Sequence, residues 1–97
     1  MAKITISISK EARGINSGLL RGLEIFLTER NIKFSRGGPR TLYFLISNEK
    51  DLKKLSYELG YFIKGQTNGK ASTQFRDIDN TLIIKRARKV IIRRVRE

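Results

Sequence analysis

Cysteine and histidine are both absent from this chain of 97 residues. Without cysteine there is no disulfide, no thiolate nucleophile and no thiolate-held zinc. Without histidine the commonest general base and the commonest metal ligand are missing. Most familiar catalytic constellations are therefore closed, and only carboxylate or lysine chemistry remains. Carboxylates are themselves scarce: nine Asp and Glu stand against 21 Lys and Arg, a net charge of +12. They are also scattered. Glu49 and Asp51 are explained by a helix dipole, Asp77 and Asp79 by a turn or cap, and Glu11 has no acidic neighbour close in sequence. The expectation is a protein without enzymatic activity, cofactor or metal. No apolar run approaches the roughly 18 residues that cross a bilayer. Met1-Ala2-Lys3-Ile4 lacks the apolar core of a signal peptide. The chain reads as soluble, in the cytoplasm or an organellar matrix, and contacts no membrane.

What the sequence has in abundance is positive charge. From Leu82 to Glu97, Lys85, Arg86, Arg88, Lys89, Arg93, Arg94 and Arg96 interleave with Ile83, Ile84, Ala87, Val90, Ile91, Ile92 and Val95. Such a run repels itself unless a polyanion or water solvates it, and its apolar members imply packing. Solubility alone needs a net charge of only roughly 2–8. The excess is the electrostatic footprint of a nucleic-acid binder.

The chain is of a size for one domain, 1–97, in which 74–97 forms a basic C-terminal element. Lys3 to Ser9 alternates Ile4, Ile6 and Ile8 with Thr5, Ser7 and Ser9, a half-buried strand. Asn16 or Ser17 caps a helix whose stripe is Ile15, Leu19, Leu23, Phe26 and Leu27. Asn31 to Ser35 and Thr41 to Ser47 read as a hairpin around Arg36-Gly37-Gly38-Pro39-Arg40. A second helix starts at Asn48, continues through Leu52, Leu55, Leu59 and Phe62, and finds a stop signal at Gly60. Gln66 to Thr73 reads as a polar loop. Phe75 to Glu97 fits either a helix or strand blocks at Leu82-Ile83-Ile84 and Val90-Ile91-Ile92. The helix is favoured, because the link between the blocks has no Gly, Pro or Asn. The fold class is α+β, an antiparallel sheet of three or more strands backed by two helices in the order β-α-β-β-α, then a basic element.

Candidate contacts follow from that arrangement. With Ile4, Ile6, Ile8, Ile32 and Phe34 against the helices, Lys3, Thr5, Ser7, Lys33, Ser35 and Tyr43 point away, a face with hydroxyls and cations but no acid. Tyr43, beside Phe44 on a strand, is the one aromatic residue placed for base stacking. Arg36 and Arg40 form a basic hairpin tip, and Lys64 and Lys70 flank a loop able to touch a phosphate backbone. Gly65-Gln66-Thr67-Asn68-Gly69-Lys70-Ala71-Ser72 is one residue short of a P-loop, and Ala71 separates Lys70 from Ser72, so nucleotide hydrolysis is not expected.

Ile4 to Lys10, the helix around Leu19 to Leu27, Ile32 to Gly37, and Leu42 to Leu55 with its Ser47-x-x-x-Asp51-Leu52-x-x-Leu55 pattern resemble, in order and spacing, the later two thirds of a LAGLIDADG homing-endonuclease domain. The resemblance covers residues 3 to 65. In that family an acidic signature helix, carrying the metal-binding acid and the dimer interface, precedes the first strand, and no segment here matches it. The resemblance therefore implies a sheet that grips nucleic acid through Lys33, Arg36, Arg40 and the Lys64/Lys70 region, with cleavage lost. The hairpin and following helix also resemble small basic ribosomal proteins. The expected function is non-catalytic binding, as a structural component on folded RNA such as a ribosome, among other proteins of a ribonucleoprotein. RNA is preferred slightly over DNA because charge is spread along the chain. The alternatives are a DNA-binding protein of homing-endonuclease type, and a nuclease relic that a partner chain completes through Glu11, Glu24 or Asp51.

Overall fold

The structure, a computed structural model, describes residues 2–15 and 18–87. Asn16, Ser17 and the basic residues Arg88, Lys89, Arg93, Arg94 and Arg96 lie outside the described residues. The elements run β1 (Ala2–Ile8), α1 (Lys10–Arg13), α2 (Leu19–Glu29), β2 (Phe34–Gly38), β3 (Thr41–Ile46), α3 (Glu49–Gln66), β4 (Ala71–Arg76) and β5 (Thr81–Arg86). The α+β class holds, with five strands in one sheet of order β2-β3-β1-β5-β4. Strand β1 is central. It pairs antiparallel with β3 and parallel with β5, so the sheet is mixed rather than wholly antiparallel.

Alternation decides which face is buried. Ile4, Ile6 and Ile8 of β1 sit in register with Phe44 and Leu42 of β3 and with Leu82 and Ile84 of β5, and all seven are buried. Leu19, Leu23, Phe26 and Leu27 of α2, with Leu55, Leu59 and Ile63 of α3, complete the core. The two helices meet at Gly22, where an added Cβ would lie 3.3 Å from the Phe62 ring, and the Phe26 and Phe62 rings lie 4.9 Å apart. No helix among the described residues is long and apolar enough to cross a membrane.

Both long helices end in the same device. Asn31 (φ 57°) and Asn68 (φ 52°) take the left-handed conformation just past α2 and α3. The next amides, of Ile32 and Gly69, then donate back to the carbonyls of Leu27 at 2.9 Å and Lys64 at 2.8 Å. These are Schellman closures, with Asn where Gly is commoner. Helix α3 therefore does not stop at Gly60. That residue instead brings the helix backbone close to β4, its added Cβ being 3.4 Å from Thr73 Oγ1.

Two further expectations are corrected. The polar stretch Gln66 to Thr73 is a loop only over 67–70: α3 runs to Gln66 and β4 begins at Ala71. Buried Thr67 joins them, donating to the Ile63 carbonyl at 2.7 Å and accepting from the Ala71 amide at 3.1 Å. In the basic element, Thr81 to Arg86 is a strand and not a helix. Its Leu82 and Ile84 alternate into the core, and the uncovered side of β1 needs a pairing partner for its backbone groups. The turn that makes this possible precedes the apolar block. Asp77-Ile78-Asp79-Asn80 reverses the chain, with Asn80 at φ 51° and its carbonyl accepting from the Thr5 amide at 3.0 Å.

Candidate nucleic-acid interface

The sheet face away from the helices is built from the residues between the buried ones. By register it carries Lys3, Thr5 and Ser7 of β1, Ser35 of β2, Thr41, Tyr43 and Leu45 of β3, Ser72, Gln74 and Arg76 of β4, and Thr81, Ile83 and Lys85 of β5. Among the described residues, none of the 30 in strands is acidic and five are cations; the 33 in helices hold seven cations against six acids. The helical layer is close to neutral, and the sheet is not.

The cations fall at the two ends of the strands. Lys3 begins β1, Arg76 ends β4 opposite Thr81 and Thr5, and Lys33 stands one residue before β2. Lys85 lies near the end of β5, Arg40 in the β2–β3 turn beside the end of β1, and Lys70 just before β4. Lys3 and Lys85 lie six residue steps apart along β1 and β5, roughly 20 Å at about 3.3 Å per residue, and Arg76, level with Thr5, lies four steps from Lys85. Between them runs a polar strip of Thr5, Ser7, Thr41, Ser72 and Gln74, with Tyr43 and Ile83 as its larger members.

Local contacts fix several of these side chains. The Lys3 ammonium sits 4.4 Å from the centroid of the Tyr43 ring, a cation–π contact. Gly37, the extra residue of a bulge between β2 and β3, makes room for that ring; an added Cβ would be 3.2 Å from Tyr43 Cε1. With Gly37 and Lys3 against its ring, Tyr43 is only half-exposed. Lys85 Nζ donates to Gln74 Oε1 at 2.8 Å, drawing two adjacent strands' side chains together. Arg76 makes a two-pronged pair with Asp79, Nε to Oδ1 at 2.9 Å. The hydrogen bond from Arg76 holds the Asp79 carboxyl below the usual carboxylate range, and the same bond raises the Arg76 guanidinium.

Not every expected residue belongs to this face. Arg36 lies on the helix side, opposite Leu42, and donates to Glu24 of α2 at 2.7 Å. It is two residues inside the strand, so parity and not proximity to the turn decides its side. Arg86 is in register with buried-face Ala71 and so is also on the helix side, one residue from Lys85. Lys64 is exposed on α3, behind the sheet. Lys3, Lys33, Arg40, Tyr43, Lys70 and Lys85 are brought to the open face or its ends. Ser72 was missed because residues up to Thr73 read as loop, and Gln74 and Arg76 because 74–97 read as one basic element with a helix favoured. The signal was present as Ala71, Thr73 and Phe75 alternating with Ser72, Gln74 and Arg76.

Among the described residues no three of the metal-ligating types His, Cys, Asp and Glu come together. Glu24, Glu58 and Asp79 are engaged in ion pairs with Arg36, Arg30 and Arg76. Comparison with models of known protein families, with curated proteins and with solved structures gave no match to this chain.

Proposed function

We propose that this protein binds nucleic acid without cleaving it, laying the open face of its sheet on a double-helical part of a folded RNA, as a structural component of a ribonucleoprotein such as a ribosome. The observation that carries this reading is the acid-free face with cations at both ends of its strands and a hydroxyl-rich strip between. Double-stranded RNA offers proteins phosphates and 2′-hydroxyls across a wide, shallow minor groove. Two rows of cations match two phosphate strands, and Thr5, Ser7, Thr41 and Ser72 supply donors and acceptors for the sugars between them. A second reading, a DNA-binding domain of homing-endonuclease type, draws on the order strand, helix, hairpin, helix from Ala2 to Gln66.

The test is a salt titration of binding to duplex RNA, duplex DNA and single-stranded RNA side by side. With Lys3, Lys33, Arg40, Lys70 and Lys85 each neutralising one phosphate and Arg76 held by Asp79, the slope of log K against log salt on duplex is about −4.5. A slope shallower than about −2 refutes the open face as the interface. Tighter binding to DNA than to RNA of the same sequence moves the assignment to the second reading.

A further inference from the structure

Helix α3 turns a stripe of another character away from the core. Lys50, Lys53, Lys54, Tyr57, Tyr61 and Lys64 recur at three- and four-residue steps, so all six project from one side of the helix. The tyrosines are 75% and 77% exposed, far beyond what core packing explains. Beside this stripe an open groove of about 1160 Å³ separates α3 from the β4–β5 hairpin. Tyr57, Tyr61, Lys53 and Lys64 form its helical wall, and Gly60 and half-buried Phe75 line it more deeply. Asp77, at the hairpin turn, is the one acid lining it among the described residues.

We infer that this groove is a second binding site, for an unpaired RNA strand whose bases stack on Tyr57 and Tyr61 while its phosphates meet the flanking lysines. The inference rests on the nucleic-acid reading given above but uses the opposite side of the molecule. A double helix keeps its bases stacked inside and cannot offer their faces to a side chain; a single strand can. Two exposed rings one helical turn apart give consecutive platforms. Four lysines on the same stripe, with a single acid across the groove, complement a phosphate backbone. The absent side chain at Gly60 opens the wall between the rings and the strand behind it. With duplex on the sheet and a loop or end on α3, one small domain would tie two parts of a folded RNA together.

The experiment uses the full chain and two probes, a short labelled oligouridine and a duplex RNA. Tyr57→Ala/Tyr61→Ala should weaken oligouridine binding by about tenfold or more and leave duplex binding within about twofold. Tyr57→Phe/Tyr61→Phe keeps the rings and should retain oligouridine affinity. The chain has three tyrosines and no tryptophan. In a Tyr43→Phe background, oligouridine should therefore quench tyrosine fluorescence directly. Oligouridine affinity indifferent to loss of the rings, or absence of quenching, overturns the inference while leaving duplex binding intact. Displacement of oligouridine by polyglutamate at equal charge also overturns it, since the groove would then read charge alone and fit an acidic peptide. Failure of both probes to bind sinks the sheet-face reading, and this one with it.

Discussion

Lys85 and Arg86 are neighbours in β5, yet the register places them on opposite faces of the sheet. Replacing either with Ala lowers the net charge of +12 by one. If binding were a matter of overall charge, the two variants would behave alike. If the open face is the interface, only Lys85→Ala removes a phosphate contact. One contact contributes about 0.9 to the salt slope, so at 0.1 M salt it accounts for roughly 0.9 decades of affinity, about eightfold. Arg86→Ala changes only a field screened over about 10 Å at that ionic strength, and should cost no more than about twofold. Neither variant should unfold the domain: both residues are exposed, and the hydrogen bond lost between Lys85 and Gln74 is a surface one. The assay is fluorescence anisotropy with duplex RNA at several salt concentrations, with thermal melting as the folding control. Equal losses in the two variants, with equal salt slopes, would refute the face assignment. A larger loss for Arg86→Ala would reverse it and put the helix side in contact with duplex.

Two more outcomes follow from the same geometry. Asp79→Asn should steepen the salt slope by about one and tighten binding, because Arg76 is freed from the carboxylate it pairs with and becomes a full counter-charge; binding isotherms at neutral pH check this. The pH dependence has a definite sign. The folded Asp79 carboxyl is held below its ordinary value, so the pair is fully formed at and above that value and is lost only as pH falls through the depressed one. The gain that Asp79→Asn gives at neutral pH should therefore appear in the parent protein only under strongly acidic conditions. Ile84→Ala should be far more disruptive to folding than any surface change: the side chain is fully buried at the junction of β1, β4 and β5. Truncations of this kind cost about 2–5 kcal/mol, which for a domain of this size lowers the melting temperature by roughly 10 °C or more. Thermal unfolding followed by circular dichroism reads it, and an unchanged melting point would remove β5 from the core.

How far the sequence discloses the structure depends on what set each element. The strand of Ile4, Ile6 and Ile8, the β2–β3 hairpin and the helix from Asn48 are readable because local pattern and tertiary burial agree there. The second strand begins later than its apolar pair implies, because Asn31 and Ile32 are used to close α2. The basic C-terminal run misleads for a different reason. Lys85 and Arg86 look equivalent on a helix, and the short block Leu82-Ile83-Ile84 fits both periods. What decides is a long-range partner, the vacant edge of β1, joined by a parallel pairing that no local signal announces. The same ambiguity hid one strand of the candidate interface, since Ser72, Gln74 and Arg76 become a face only when 71–76 is a strand. Tyr57 and Tyr61 were passed over because their neighbours Leu55, Leu59 and Phe62 satisfy the core stripe, and only exposure separates them from it.

The segregation of charge is more telling than its amount. A surface adapted to water alone intersperses the two signs, as the helical layer does: Arg30 meets Glu58, and Arg36 reaches from a strand to Glu24 on α2. Such exposed pairs contribute little stability each. Their larger consequence is electrostatic: Arg36, on the helix-facing side of β2, is held by the helical layer. What remains on the other side is a surface where, among the described residues, Asp79 is the one carboxylate in an ion pair, with Arg76. Like charges held on one rigid sheet destabilise the free protein slightly, and that repulsion is relieved when phosphates replace water and counterions. With the acids of the described residues confined to helices and turns, the bare face suits a polyanion, in keeping with the function proposed above. On that proposed function, the distribution of charge, unlike the total of +12, places a duplex on the open face of the sheet.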